Sequence, residues 1–232
     1  MSNRPQAPAG HPEAVSNCWT AEDAAKFLRV ARQSGQQPAA FYALALDSGM
    51  RKSELAGLRW SDVDLPNGRV VVRQQLLKGG SEPTFTVPKG KTSRTIEIAS
   101  ETVELLKTHR AHQAKLKMRN RQNYHDHGLV FAKEWSDVGR KYQTLGDPLQ
   151  INNLGQREFV KLIAAAEVRS ITLHGLRHTC ATLLLSARVP PNVVQQRLGH
   201  KKIEITLDIY AHVLPGQQRD AARQLAAMLH LT

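Results

Sequence analysis

Five residues in three segments of the chain are of types that can bind or attack a phosphate group. They are Arg51, His174, Arg177, His200 and Tyr210. Attack on a phosphodiester builds negative charge on its non-bridging oxygens, and the planar guanidinium of arginine binds two such oxygens and stays charged at any relevant pH. Two arginines could therefore clamp both oxygens and stabilise the charge that develops in the transition state.

The histidines and the tyrosine would supply the rest of such a reaction. His174 and His200 could donate hydrogen bonds to the phosphate, and a histidine with a pKa near neutrality could also move a proton. The hydroxyl of Tyr210 has an ordinary pKa of about 10, so it becomes a good nucleophile only where nearby cations favour the phenolate. Taken singly, an arginine at a helix start or a tyrosine on a helix more often has a structural or surface role.

Other residues that could carry chemistry have simpler interpretations. His125 and His127 lie in a polar loop without further metal ligands, which favours a solvated loop over a metal site. His109 and His112 are assigned to the polar surface of a long helix, and Cys180 to a small buried position. The sequence contains no glycine-rich phosphate loop before a helix and no serine nucleophile elbow.

The order and spacing of the three segments resemble the tyrosine recombinase (phage integrase) family. The first family motif reads T-G-x-R-x-x-E-L-x-x-L-x-W-x-D, and residues 48–62 read S-G-M-R-K-S-E-L-A-G-L-R-W-S-D. The family's H-x-x-R is matched by His174 and Arg177, its L-G-H by residues 198–200, and its Y-x-H by residues 210–212. The resemblance spans residues 19–214. It implies that the five residues named above are catalytic, with the tyrosine as nucleophile.

The resemblance also implies a sixth catalytic residue, a lysine in a hairpin between the two motifs that protonates the departing 5′ oxygen. Lys91 precedes the strand around Thr95 at the family's spacing, and we choose it. Lys89 is the competing candidate. A solvated basic turn is the simpler interpretation, since lysines are common in exposed hairpins.

Two positions depart from the family's pattern. Ser48 replaces the threonine that usually precedes the glycine of the first motif. Tyr210 comes ten positions after His200, one more than in the commonest family form, which bears on the helical phase of the tyrosine. Glu54 is expected to support the site, and His178 is expected to point to a different face from the arginine before it.

The hydrophobic periodicity predicts a mainly α-helical fold with a small antiparallel β-sheet, an α+β domain. A helix capped by Thr20 is predicted to run to Ala31, a second from Phe41 to Ser48, and a third from about Arg51. Strands at 69–73, 84–87 and 95–98 are predicted to form one antiparallel sheet. Further helices are predicted at 101–118, 152–166, 174–187, 191–198, 203–212 and 216–230. By resemblance, this is the DNA breaking-rejoining fold of a tyrosine recombinase catalytic core.

The chain divides into three expected parts. Residues 1–17 are proline-containing and predict a flexible linker or tail, 18–214 form the catalytic domain, and 215–232 form a C-terminal helix. That helix has an apolar stripe, which the resemblance suggests could dock on a neighbouring protomer, with packing on its own domain as the alternative. Family members usually carry a helical DNA-binding domain before the catalytic one, so the chain is expected to be part of a longer recombinase.

The composition favours a polyanionic partner. The chain has 32 Lys and Arg against 20 Asp and Glu, a formal net charge of +12, which favours nucleic acid over an acidic membrane. Cys18 and Cys180 provide no disulfide framework or metal spacing. With no signal peptide and no apolar run long enough to span a bilayer, we expect the protein in the cytoplasm, on DNA.

The function that the resemblance implies is site-specific recombination. Tyr210 would cleave a strand of double-stranded DNA to give a 3′-phosphotyrosine and a free 5′ hydroxyl, and another 5′ hydroxyl would then attack the phosphotyrosine. The covalent link preserves the energy of the phosphodiester, so no cofactor, ATP or metal is expected. The enzyme is expected to be a homo-tetramer on paired DNA sites and a monomer off DNA. A type IB topoisomerase-like activity and a catalytically inactive DNA-binding protein are the alternatives.

Overall fold

The fold begins with two consecutive helices, α1 (Ala21–Gln33) and α2 (Gln36–Ser48). The computed structural model describes residues 17–77, 83–87, 93–134, 145–150, 156–213 and 217–229, with the backbone alone at 210, 212–213 and 217–220. The predicted cap of α1 is present, because the Thr20 hydroxyl accepts a hydrogen bond of 3.1 Å from the Asp23 amide. The second helix ends at Gly49, whose φ of 62° lies in the left-handed region that glycine adopts without strain.

A short helix, α3 (Lys52–Ala56), leads through a 3₁₀ turn into two small antiparallel sheets. The strands are β1 (Val63–Asp64), β2 (Arg69–Val72), β3 (Gln75–Leu76), β4 (Phe85–Thr86) and β5 (Arg94–Glu97). One sheet has the order β1-β2-β5, and the other pairs β3 with β4. In the larger sheet Val70 lies opposite Ile96, and both side chains are buried in the core.

The prediction of one sheet from 69–73, 84–87 and 95–98 is wrong for its middle strand, which pairs with β3 instead. Contacts with the end of α3 explain the difference. The Gln74 side-chain amide donates to the Gly57 carbonyl at 2.6 Å. A Cβ added at Gly57 would lie 2.7 Å from the Leu76 amide nitrogen. Because β3 packs so closely on the α3 end, the chain leaves the larger sheet after Val72, and β5 becomes the neighbour of β2.

The rest of the described chain is mostly helical, which confirms the predicted fold class. The helices are α4 (Ser100–Arg119), α5 (Glu158–Ala166), α6 (Gly175–Ser186), α7 (Pro191–Leu198), α8 (Glu204–Val213) and α9 (Gln217–Met228). Each overlaps a predicted helix. Across the described ranges, none of the helices is long and apolar enough to cross a membrane.

The buried apolar side chains of the described residues form two clusters. The larger one contains an aromatic group in which Phe27 contacts Trp19, Tyr42 and Phe159, with ring centroids 4.7–5.5 Å apart. The smaller cluster joins α6, α7 and α8. Its members are Cys180, Ala181, Leu185, Val194, Leu198 and Ile209. Cys180 is buried, as predicted, and its burial raises the pKa of the thiol to about 11.

The assignment of His109 to the helix surface is wrong, because its side chain is fully buried. Its Nε2 atom lies 2.7 Å from the Val130 carbonyl oxygen, and its ring stacks on Phe131 with centroids 5.6 Å apart. Burial lowers the pKa of this histidine to about 4. His112, three residues later, has a side chain that is 46% exposed and lies on the surface as predicted.

Candidate active site

Arg51 immediately precedes α3 and is held by contacts on two sides. Its backbone amide donates to Glu54 Oε2 at 2.8 Å, and its Nη1 donates to Glu54 Oε1 at 3.0 Å. On the other side Nη2 donates to the Gly199 carbonyl at 3.1 Å. The Arg51 side chain is nevertheless 38% exposed. The guanidinium is therefore fixed in direction and still open to a ligand.

Glu54 is a buried carboxylate that lies between two arginines. Arg94, the first residue of β5, donates Nη1 to Oε1 at 3.0 Å and Nη2 to Oε2 at 2.7 Å. Burial by itself would raise the pKa of Glu54, but the hydrogen bonds and charges of Arg94 and Arg51 hold it below its ordinary value. Glu54 therefore remains ionised, and this agrees with the supporting role expected for it.

Arg177 lies on α6 and is almost completely buried. Its Nη1 donates to the Gly49 carbonyl at 2.7 Å, whereas its buried Nη2 has no hydrogen-bond partner among the described residues. Burial, and next the charge of Arg51, lower the pKa of Arg177 to about 9, so the guanidinium is still cationic at neutral pH. A buried cation with an unused donor is costly unless a ligand provides an acceptor.

His174 and His178 lie against each other at the start of α6. Their ring centroids are 4.7 Å apart and the rings meet edge to face at 86°. The sequence predicts that His178 points to a different face from Arg177 and lies outside the site. Its ring nevertheless contacts that of His174, because residues four apart share a helix face. Desolvation, His178 and Arg177 lower the pKa of His174 to about 4.

His200 follows the turn that ends α7. Gly199 has a φ of 68° there, the left-handed conformation of a helix C-cap. The His200 Nδ1 atom lies 2.9 Å from the hydroxyl oxygen of buried Thr206 on α8, which leaves Nε2 for other partners. Desolvation, Arg177 and Arg51 lower the pKa of His200 to about 4, so the ring is neutral at pH 7.

Four of the six predicted catalytic residues therefore form one electrostatic cluster, namely Arg51, His174, Arg177 and His200. The other two are not tested by these contacts. Lys91, like its competitor Lys89, lies outside the described residues. Position 210 belongs to α8, and the Tyr210 side chain lies outside the described atoms.

Sequence reasoning missed Arg94, although the sequence contained a signal for it. Side chains alternate between the two faces of a strand, so Arg94 shares a face of β5 with Ile96, which is buried. A charged residue on the core-facing side of a strand needs a buried partner. That partner, Glu54, lies 40 residues earlier, and no local pattern identifies it.

His125 and His127 of the polar loop lie near Asp147. His125 Nδ1 lies 2.8 Å from Asp147 Oδ1, and the His125 side chain is half exposed. In the parts of the chain that the structure describes, no three His, Cys, Asp or Glu residues are placed to hold a metal ion.

The sequence profile of the phage integrase family matches residues 18–217. The chain belongs to the phage integrase family. It is 32% identical over 204 residues to a tyrosine recombinase XerC-like protein of Caldanaerobacter subterraneus, covering 82% of this chain and 49% of that protein. It is 24% identical to the ICEBs1 integrase of Bacillus subtilis, covering 91% and 54% of the two chains. This phage integrase family member thus spans about half the length of these relatives.

Solved structures of the family agree with the fold. The integrase of transposon Tn1549, solved in complex with transposon right end DNA, has a TM-score of 0.70 and 25% identity, over 90% of this chain and 66% of that chain. The catalytic domain of bacteriophage HP1 integrase has a TM-score of 0.55 at 20% identity, over 89% of this chain and 94% of that chain. The described chain therefore has the fold of a tyrosine recombinase catalytic domain.

Proposed function

We propose that this chain is the catalytic part of a site-specific DNA recombinase, an integrase, that cuts and rejoins double-stranded DNA through a 3′-phosphotyrosine at Tyr210. The observation that carries the proposal is the Arg51–Arg177 pair. Arg51 is fixed yet exposed, and Arg177 is buried with its Nη2 lacking a partner among the described residues. A phosphate bound between them would satisfy the unused donor and both positive charges.

The two arginines would act mainly on the transition state. When a nucleophile attacks the phosphorus, negative charge grows on the two non-bridging oxygens that the guanidiniums face. The folded protein already holds the two guanidiniums in place, because they donate hydrogen bonds to the Gly49 and Gly199 carbonyls and the Glu54 carboxylate. The site is therefore organised before DNA arrives.

The histidines would add neutral donors and a route for protons. With pKa values of about 4, His174 and His200 are uncharged at pH 7 in the free protein. Thr206 engages Nδ1 of His200, so its Nε2 is the atom available to the phosphate. A bound phosphodiester monoanion would raise both pKa values, since an opposite charge favours the protonated ring.

Tyr210 and Lys91 would complete the reaction. The phenol of Tyr210 gives its proton to a neutral histidine of the site, and its oxygen forms a bond to phosphorus as the bond to the 5′ oxygen breaks. Lys91 gives the departing 5′ oxygen a proton. Position 210 follows Thr206 by one helical turn of α8, so the helix that contacts His200 also carries the tyrosine. Attack of another 5′ hydroxyl on the phosphotyrosine reverses these steps and releases the enzyme, without ATP.

The positive charge supports DNA as the partner. We propose that four copies of the chain assemble on paired DNA sites. The chain carries a formal net charge of +12, which favours a polyanion. Leu225 and Met228 of the C-terminal helix α9 are 57% and 77% exposed, and Leu229 directly after it is 57% exposed. An apolar stripe that is exposed among the described residues fits docking on a neighbouring protomer. Residues 18–214 would then be the catalytic domain and residues 1–17 a linker.

Covalent trapping tests this function. The chain is incubated in EDTA, without ATP, with a pool of randomised duplexes that carry a nick. After cleavage near the nick, the short fragment that bears the 5′ hydroxyl diffuses away and cannot reverse the reaction. We expect an adduct that survives boiling in detergent and shrinks on nuclease treatment. Rejoining to a different duplex would identify a recombinase, whereas resealing of the original strand alone would indicate a topoisomerase. The absence of any adduct across the pool would contradict the proposal.

A further inference from the structure

Arg94 links Glu54 at the candidate site to the end of α7, and no sequence motif identified it. Arg94 forms a bidentate ion pair with Glu54, and its Nε also donates to the Arg197 carbonyl at 3.0 Å. Its side chain is only 13% exposed. Since Arg94 is the first residue of β5, one side chain links the larger sheet, the start of α3 and the end of α7.

We propose that Arg94 is a positioning residue of the active site. It fixes the Arg51 guanidinium through Glu54, and it packs against the Gly199–His200 turn and supports it. The proposal deepens the function proposed above and rests on it. Arg94 touches no reacting atom in this scheme. It acts by setting where Arg51 and His200 present their donors to the phosphate.

The contact with Gly199 shows how closely Arg94 fits under the turn. A Cβ added at Gly199 would lie 2.9 Å from Arg94 Nη1 and 3.0 Å from its Cζ. The Gly199 carbonyl, in turn, accepts the hydrogen bond from Arg51 Nη2 at 3.1 Å. Arg94 therefore binds one partner of Arg51, the Glu54 carboxylate, and lies directly beside the other, Gly199.

The charges explain why a second arginine is needed at this place. Arg51 and Glu54 alone would form a neutral pair, and the carboxylate would cancel much of the positive charge that Arg51 offers to a phosphate. With Arg94 added, the three groups carry a net positive charge, and Glu54 shares its oxygens between two guanidiniums. Arg94 thus allows Glu54 to orient Arg51 without neutralising it.

Arginine is the residue that this position requires. One side chain must present two parallel donors to a carboxylate and a third donor, Nε, to the Arg197 carbonyl. The guanidinium has these donors in a rigid plane, whereas a lysine ammonium is a point charge on a flexible stem. Arg94→Lys therefore keeps the charge and removes the geometry.

Arg197 provides a matched control. It is also a partly buried arginine that joins the end of α7 to the rest of the domain, with Nη2 donating to Asp47 Oδ1 at 2.7 Å and Nη1 to the Glu97 carbonyl at 2.9 Å. Among the described residues, its side chain makes no hydrogen bond to Arg51 or Glu54. A loss caused only by weaker anchoring of α7 should therefore appear in both Arg94→Lys and Arg197→Lys.

The first test measures the single-turnover rate of adduct formation on a nicked duplex, at DNA concentrations that saturate each variant. We expect Arg94→Lys to be slower on the order of 100-fold, as for a misplaced catalytic group, with its DNA affinity changed little and Arg197→Lys within a few-fold of the parent chain. In Arg51→Ala the further change Arg94→Lys should slow the rate far less than it does in the parent chain, because one of the two groups that it positions is gone. Equal losses in the Arg94 and Arg197 variants, or additive losses with Arg51→Ala, would overturn the proposal.

The second test needs no activity, so it separates this proposal from the proposed function. NMR of the free protein reports rotation of the Arg51 guanidinium through its Nη signals, which should be separate in the parent and in Arg197→Lys and averaged in Arg94→Lys. Unchanged Arg51 signals in Arg94→Lys would overturn the positioning role, whether or not the parent chain cleaves DNA. A thermal melt checks that each variant is folded. Should Arg94→Lys fail that check, Arg94→Gln, which leaves Glu54 and Arg51 unchanged, takes its place with the same expected results.

Discussion

The Arg177 guanidinium donates a hydrogen bond of 2.7 Å to the Gly49 carbonyl, which lies 128 residues earlier in the chain. Gly49 ends α2 two residues before Arg51, so this bond fixes the distance between the two arginine-bearing segments. The glycine is required there, since a Cβ would lie 2.3 Å from Leu198 Cδ2 and the φ is 62°. The two halves of the candidate site therefore meet at a backbone atom.

Arg177→Lys should strongly impair strand cleavage. Lysine can keep a charge in the pocket, but it cannot serve the Gly49 carbonyl and a phosphate oxygen with one rigid fork. We expect the rate of adduct formation to fall by roughly 100- to 1000-fold, the usual cost of losing one preorganised donor to a developing oxyanion. Arg69→Lys is the control, because Arg69 is an exposed residue that pairs with Glu97 on the sheet. Similar rates for the two variants would argue against a phosphate clamp.

The leaving-group lysine can be identified by chemical rescue. Lys91→Ala should slow cleavage of ordinary DNA, and a substrate with a 5′-phosphorothiolate should restore the rate, because a thiolate departs without needing a proton. Lys89→Ala, two residues away in the same turn, is the matched variant and should show neither the defect nor the rescue. Rescue of Lys89→Ala instead would assign the role to that residue.

The stability of the protein should fall as the pH drops from about 6.5 to about 4, and His109 should account for part of the fall. Its pKa is about 4 in the folded protein against an ordinary 6.5, so the unfolded chain takes up the proton first. The contribution is complete above pH 6.5 and is lost toward pH 4, by about 3 kcal/mol. In denaturant unfolding, His109→Gln should flatten this pH dependence by one proton, while His112→Gln should not. An unchanged slope in His109→Gln would show that its proton is not involved.

Deleting residues from Gln217 onward should impair assembly on DNA and leave the remaining chain folded. Leu225, Met228 and Leu229 are exposed in the single chain, so their removal costs the domain little buried area. Sedimentation with duplex sites should show loss of the tetramer, while the melting temperature stays close to that of the parent. A substantially lower melting temperature would mean that the helix stabilises its own domain.

The sequence predicted the segments of the site better than the contacts within it. Spacing indicated that Arg51, Arg177 and His200 belong together, and the structure brings these three near one another. The buried pair of Arg94 with Glu54 could not be found in this way, because a partner 40 residues distant is set by the fold.

The fold shows the same division between local and distant information. Helix periodicity located the helices, but polar residues on the buried face of α4 made His109 look like a surface residue. The pairing of Phe85–Thr86 with Gln75–Leu76 depends on how β3 packs against α3. No local pattern of the sequence predicts the burial of His109 or the pairing of β3 with β4.

The most direct test of the central claim is to locate the atom that joins the protein to DNA. The trapped adduct is digested with nuclease and trypsin, and mass spectrometry finds the residue that carries the nucleotide phosphate. We predict that the phosphate is on Tyr210, and that Tyr210→Phe binds DNA as the parent does but forms no adduct, while Tyr124→Phe forms it normally. A phosphate on any other residue, or an adduct formed by Tyr210→Phe, would contradict the account.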